Sequence, residues 1–236
     1  MLSIGIVIPC FNEEESLPQL RDKLKEFDSA IKEKYLPFYY FVDDGSTDQT
    51  FKILKNFFQE QNQFILKHEV NSNLGAALKT GITSARKHER LCFLDSDCTY
   101  DPMIILPMLE QVEAGADVVV VSPYHPNGGV EGVPKWRLSL SLGLSRIYRL
   151  VLRADIYTFT AMVWAARTDA LPATLSEKND FTFLTESLFA ILRSGKKVEE
   201  RPTILSQRKF GQSKMRVLST IKSHLGIIRK IILGQI

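Results

Sequence analysis

Ser3–Pro9 (SIGIVIP) is an unbroken apolar, β-branched run that stops at a polar patch, the pattern of a strand buried on both faces. Asn12 followed three residues later by Glu15 matches a helix start, and Leu17, Leu20, Leu24 and Phe27 then recur at helical spacing. Phe38–Val42 is a second strand that ends at Asp43-Asp44-Gly45-Ser46. Ser46 with Gln49 repeats the capping pattern and opens a helix with Ile53, Leu54 and Phe57 turned inward. Phe64–Lys67 reads as a short strand, Asn71–Gly75 as a turn and Ala76–Lys87 as a helix. Leu91–Leu94 is a strand ending at Asp95, Ile104–Val112 a helix, and Asp117–Ser122, with four consecutive valines, a buried strand.

Strands alternating with helices in this way predict an α/β fold with a mostly parallel, doubly wound sheet. Ligands of such sheets gather beyond the carboxyl ends of the strands. Three polar clusters fall there, Pro9–Glu13, Asp43–Asp48 and Asp95–Asp101, so residues far apart in sequence are expected in one cleft. After Ser122 the rhythm changes. Pro123–Pro134 is a Pro/Gly-rich loop of the length that often serves as a lid. A helix over Trp136–Leu152, an irregular stretch, a helix over Phe181–Arg193 and a strand near Val198 follow. A final amphipathic helix is predicted with Leu218, Ile221, Leu225, Ile228 and Ile232 as its apolar stripe, to be laid on a membrane surface or on the core.

The 236 residues, 44% hydrophobic and 24% charged, are enough for one large core without staples. Cys10, Cys92 and Cys98 form no CxxC and no disulfide framework, which fits reduced thiols in the cytosol. The first residues lack the basic start and cleavage site of a signal peptide, and no apolar run is long enough to span a bilayer. The net charge of +3 is uneven: from Arg201 onward there are eight Lys/Arg and no acid, which points to an anionic partner at that end. Nucleic acid is disfavoured, because only Phe210 interleaves an aromatic ring with those charges.

Asp95-Ser96-Asp97 places two carboxylates on one side of an extended chain. Like charges so close are stabilised by a cation, and the oxygen ligands suit Mg²⁺ or Mn²⁺ carrying substrate phosphates. Gly45, Ser46 and Asp48 are explained by a turn, a cap and a helix dipole, whereas the consecutive acids Asp43 and Asp44 are not. A carboxylate there can accept from a base N–H or a ribose hydroxyl. The chain has no GxGxxG after its first strand, no GxxxxGK[ST], no HExxH and no GxSxG, which removes dinucleotide, P-loop, zincin and serine-hydrolase readings. His68, His88, His125 and His224 are dispersed and are each read as structural or exposed. Arg208-Lys209-Phe210-Gly211-Gln212-Ser213-Lys214 mixes cations, a hydroxyl and a flexible glycine, a composition suited to phosphate.

In order along the chain, VIPCFNEEESL (7–17), VDDGSTDQT (42–50), NSNLGAALKTGI (71–82), FLDSDCTYDP (93–102), SPYHPNGGVEGVPKWR (122–137) and RKFGQSK (208–214) resemble family 2 of the glycosyltransferases. Within it they look most like the dolichol- and polyprenol-phosphate mannosyl- or glucosyltransferases. The resemblance implies a GT-A fold in a single domain over 1–236. Residues 1–122 would form the nucleotide-sugar half, 123–214 the acceptor half and 215–236 a basic amphipathic tail. It further implies that Pro9, Phe11, Glu13, Asp43, Asp44, Asp95 and Ser213 contact the nucleotide, and that Asp95 and Asp97 bind Mg²⁺ or Mn²⁺. Asp97, Arg208 and Lys214 would serve catalysis, with a polyprenyl phosphate attacking a UDP- or GDP-sugar with inversion.

A phosphate acceptor is already ionised, so no strong base is needed; a sugar-hydroxyl acceptor would need one, for which Glu186 or Asp101 is the candidate. A third reading, a nucleotide-sugar-binding partner protein without turnover, is motivated by arginines the family often has and this chain lacks, in Ser122-Pro123-Tyr124, Ser141-Leu142-Gly143 and Thr160-Ala161-Met162-Val163-Trp164. Arg137, Arg146, Arg149 and Arg153 on the following helix are the candidates to replace that charge. Asn73 stands where the family often has glycine, a change asparagine tolerates in the left-handed region. The expected location is cytoplasmic, peripheral at the inner face of a membrane, with the basic tail on anionic lipid.

Overall fold

The computed structural model describes residues 1–132, 135–206 and 217–232. Its main sheet contains β1 (Leu2–Cys10), β2 (Tyr35–Asp43), β3 (Gln63–Lys67), β4 (Arg90–Phe93), β5 (Val118–Ser122), β7 (Trp164–Arg167) and β8 (Val198–Pro202). The spatial order is β3-β2-β1-β4-β7-β5-β8. All pairings are parallel except those of β7, which runs antiparallel to β4 and β5. The helices are α1 (Leu17–Ile31), α2 (Thr50–Phe57), α3 (Leu74–Ala85), α4 (Ile105–Glu113), α5 (Lys135–Leu152), α6 (Thr182–Arg193) and α7 (Val217–Ile232).

The unbroken apolar run of β1 has its cause in the centre of the sheet, where Ile4, Ile6, Val7 and Ile8 are fully buried. Helix α3 lies directly on this strand because Gly81 has no side chain. A Cβ there would stand 2.3 Å from Val7 Cγ1.

β7 was not foreseen in the stretch read as irregular. It is only four residues long, Trp164-Ala165-Ala166 are all buried, and so it shows no period-2 alternation. Its insertion separates β5 from β4 and welds strands from both ends of the chain into one sheet.

Both capping-box starts are displaced. α1 begins at Leu17 and α2 at Thr50, with no side-chain cap on either. Asn12 instead bends the chain at φ 53° and accepts from Thr47 N, while Ser46 Oγ accepts from Asn12 N. The polar side chains that resembled caps lace two loops together.

Asn73 takes a positive φ of 73° as expected, but with ψ 165°, outside the left-handed helical basin. Its carbonyl accepts from Ala76 N and Ala77 N, so this strained residue starts α3. The described part of the 123–134 loop is pinned. Gly129–Val130 (β6) pairs in parallel with Ile204–Leu205 (β9), and Glu131 N donates to Leu205 O at 2.8 Å.

Helix α7 packs against α5 and α6; of the predicted stripe Ile228 is buried and Leu225 is not. His224, Ile227 and Ile228 are buried, whereas Leu225 is 58% exposed; the side chains of Leu218, Ile221 and Ile232 lie outside the described residues. The face is set by a polar contact, His224 Nδ1 with Tyr148 Oη at 2.9 Å, and by Ser223 Oγ donating to Asp180 Oδ2.

Burial pushes His224 down to about 4 from an ordinary 6.5. The folded value is the lower one, so the unfolded chain binds more protons between the two. The associated stability is present above about pH 6.5 and is lost as pH falls toward 4. Urea melts at about pH 7 and pH 5 are expected to show this loss, with a flatter dependence in His224→Gln. Equal slopes in both proteins would place the dependence elsewhere.

Candidate functional site

The ends of β1, β2 and β4 lie side by side, since Cys10 is in register with Asp43 and Val7 with Phe93. Leu94 N continues the ladder by donating to Val7 O, and Ser96 Oγ donates to Pro9 O at 2.9 Å. The Asp95-Ser96-Asp97 turn is thereby fixed to the end of β1. Asp97 is buried, and its Oδ1 accepts from Thr99 N at 2.8 Å; Cys98 at φ 57° reverses the chain. Asp95 is half-buried.

At the end of β2, Asp44 N donates to Cys10 O, and Asp43 Oδ1 accepts from Ser46 N at 3.2 Å. Asp43 is fully buried, and its Oδ2 has no hydrogen-bond partner among the described residues. An unsatisfied buried carboxylate oxygen is costly, and a ligand donor is its natural complement. Asp44 Oδ1 accepts from Ser72 N and from His68 Nδ1. Gly45 makes the turn possible: its φ is 69°, and a Cβ would stand 2.5 Å from Asn71 N.

Tyr100 borders Asp95 and Asp97. Burial first, then the Asp95 charge, push its phenol well above the usual tyrosine range, so it is a neutral donor beside those carboxylates. Burial likewise raises Tyr124, which hydrogen-bonds Ser141 on α5. Burial pushes the Cys98 thiol up to about 11, leaving it an inert neighbour.

The family model for glycosyl transferase family 2 matches residues 5–173. The chain belongs to that family. The polyprenol monophosphomannose synthase of Mycolicibacterium smegmatis is 28% identical over 217 residues, 89% of this chain and 80% of that protein. The undecaprenyl-phosphate mannosyltransferase of Micrococcus luteus is 30% identical over 219 residues, 89% and 86% of the two chains. Among solved structures, glucosyl-3-phosphoglycerate synthase of Mycobacterium tuberculosis, in complex with Mn²⁺, UDP and glucosyl-3-phosphoglycerate, superposes with TM-score 0.70. It covers 99% of this chain and 79% of that one at 14% identity, a likeness of fold.

Of the residues expected at the glycosyltransferase site, Pro9, Phe11, Glu13, Asp43, Asp44, Asp95 and Asp97 are all at these three strand ends. Pro9 contributes its carbonyl to the Asp95–Asp97 turn. Glu13 is buried, its carboxylate accepts from Ser16 Oγ, and its N–H donates to Thr50 Oγ1 at 2.7 Å. Arg208, Ser213 and Lys214 lie outside the described residues.

Glu186 is on α6, where its carboxylate accepts from Ser176 Oγ. Asp101 is paired with Lys23 at 2.6 Å and caps Met103 N, and these contacts outweigh its burial and hold its carboxyl below the usual range. Arg149 is paired with Asp155 and stacks over Tyr157; Arg146 and Arg153 are exposed, and the Arg137 side chain lies outside the described residues.

Among the described residues no group of three or more His, Cys, Asp or Glu could hold a metal. Two carboxylates fixed on one turn fit the smaller protein share of a Mg²⁺ or Mn²⁺ site, in which substrate phosphates and water complete the shell. Single histidines carry no signal, so the sequence reading did not single out His68, which bonds Asp44. The rule that identified the other clusters would have found it, since it is the first residue past β3.

Proposed function

We propose that this glycosyltransferase moves a sugar from a UDP- or GDP-sugar to a polyprenyl phosphate, with inversion at the anomeric carbon. The observation that carries the donor half is the buried, unpartnered Asp43 Oδ2 beside the Asp95–Asp97 turn. A nucleobase N–H supplies the missing donor, and Asp44 presents a second acceptor next to it. Asp95 and Asp97 would hold Mg²⁺ or Mn²⁺, which neutralises charge developing on the leaving diphosphate. Burial holds the phenol of the neighbouring Tyr100 in its protonated form.

The names of the M. smegmatis and M. luteus relatives support a lipid phosphate as acceptor. So does the state of Asp101, whose ion pair with Lys23 makes it a poor general base, while an ionised phosphate nucleophile needs none. Arg208, Ser213 and Lys214 are assigned to the phosphates by their composition.

Peripheral contact with an anionic cytoplasmic membrane face belongs to the same reading. No helix among the described residues is long and apolar enough to cross a bilayer. The outer face of α5 supports the contact, whereas Ile227 and Ile228 of the tail helix are buried. Leu140, Ile147 and Leu150 are exposed within an arc of about 80°, with exposed Arg146 along one edge and exposed Arg153 just past the helix end.

The test is transfer from labelled UDP- and GDP-hexoses, with Mn²⁺, to a short-chain polyprenyl phosphate, alongside flotation with anionic and neutral vesicles. One donor is expected to yield a sugar–phosphate lipid of inverted configuration, with flotation on anionic vesicles alone. Transfer only to a glycolipid hydroxyl would replace the acceptor; nucleotide binding without any transfer would leave a non-catalytic binding protein. Absence of flotation would remove the membrane contact.

A further inference from the structure

We propose that His68 is a positioning residue of the donor site, clamping Asp44 so that one carboxylate oxygen is held toward the nucleoside. This inference rests on the reading of Asp43 and Asp44 as nucleoside acceptors. The clamp joins three elements. His68 is the first residue beyond β3, and its N–H donates to Asp43 O at 2.8 Å, which ties its backbone to the end of β2. Its Nδ1 is 2.7 Å from Asp44 Oδ1, and its Nε2 is 2.9 Å from Thr80 Oγ1 on α3.

A carboxylate only accepts, so Nδ1 carries a proton and donates to Asp44 Oδ1, while Nε2 is paired with the Thr80 hydroxyl, which serves as donor or acceptor. With both nitrogens bonded to different elements, the ring cannot turn without breaking a contact. Asp44 Oδ1 also accepts from Ser72 N at 2.9 Å, so two donors occupy that oxygen and set the plane of the carboxylate. Asp44 Oδ2 takes no hydrogen bond among the described residues and is the oxygen left for a ligand.

The His68 side chain is itself 18% exposed and is not part of the apolar core. Its contacts are spent on the orientation of Asp44. Without the imidazole, Asp44 is held by one N–H, and its ordering is deferred to donor binding. That cost falls on ground state and transition state alike, because the base is remote from the sugar being transferred. The loss therefore appears in the donor KM and not in kcat.

The experiment uses the full chain with Mn²⁺. Calorimetric titration with UDP and with GDP, donor kinetics and thermal melts are compared for wild type, Asp44→Ala, His68→Ala, His68→Asn and Thr80→Val. His68→Ala is expected to weaken the nucleotide that binds wild type about tenfold, the usual scale for loss of a residue that orients a ligating group. The donor KM rises by the same factor, and kcat stays within about twofold. His68→Asn, whose amide N–H reaches the place of Nδ1, recovers most of the affinity; Thr80→Val shows a smaller loss. The melting temperatures stay close to wild type.

The clamp is overturned if Asp44→Ala weakens nucleotide binding and His68→Ala does not. It is equally overturned if His68→Asn is as impaired as His68→Ala and both melt early, since that pattern describes a structural histidine. An Asp44→Ala protein that binds nucleotide as wild type overturns the donor-site reading itself, and the clamp with it.

Discussion

Asp97→Asn is expected to lower sugar transfer by about a thousandfold or more at saturating donor, a loss of about 4 kcal/mol of transition-state stabilisation. The substitution separates charge from fold. The buried Asp97 accepts from Thr99 N at 2.8 Å, a bond that an asparagine Oδ1 keeps, so the turn before Cys98 retains its shape. What is lost is the negative charge that, on the proposed reading, would attract a divalent ion. Together with the loss of transfer, Mn²⁺-dependent stabilisation by the nucleotide should vanish, while the ligand-free melting temperature stays near that of wild type. A fall of less than about tenfold in kcat, in folded protein, would remove Asp97 from the metal site.

Trp164→Ala is the second large effect, and it is an effect on stability. Trp164 is 1% exposed on the antiparallel strand β7, in register with Phe93 on one side and Val120 on the other. Its ring centroid is 5.5 Å from that of Phe93, and its indole N–H donates to Ala161 O at 2.8 Å. Truncation leaves a cavity in the middle of the sheet and a buried carbonyl without its donor, at a cost of about 3–5 kcal/mol. For a chain of this size that is a fall of about 10 °C in melting temperature. Denaturant melts showing a loss below about 1 kcal/mol would mean that β7 is not a core strand.

Strand β7 also marks where the sequence stopped being readable. β1, β2, β4 and β5 announce themselves because a strand buried on both faces needs a continuous apolar run, and few other structures do. β7 needs only to fit between β4 and β5, and Trp164-Ala165-Ala166 does so by shape and size, with no periodic signature. The capping boxes were misread for a related reason. Asn12 and Ser46 have the chemistry to cap a helix, but each found a stronger partner in the other loop, 34 or 35 residues away. The tail helix was recognised as amphipathic with Ile228 inward, yet Leu225 of its stripe is exposed and His224 is buried instead, paired with Tyr148.

The proposed donor site was legible to the extent that it lies at strand ends. Asp43, Asp44, Asp95 and Asp97 were named from the sequence, and the structure brings their strand ends together. The sequence alone determined the parallel α/β class, the acids at the carboxyl ends of its strands and the basic charge of the final segment. Each of these is written in local patterns of burial and charge. Only the tertiary structure decided that Asp43 Oδ2 is buried without a partner among the described residues, that His68 bonds Asp44, that Asp101 is paired with Lys23 and that α7 packs on α5 and α6. These depend on which side chains meet across the fold, and a residue's partners are set by distances that no local pattern encodes.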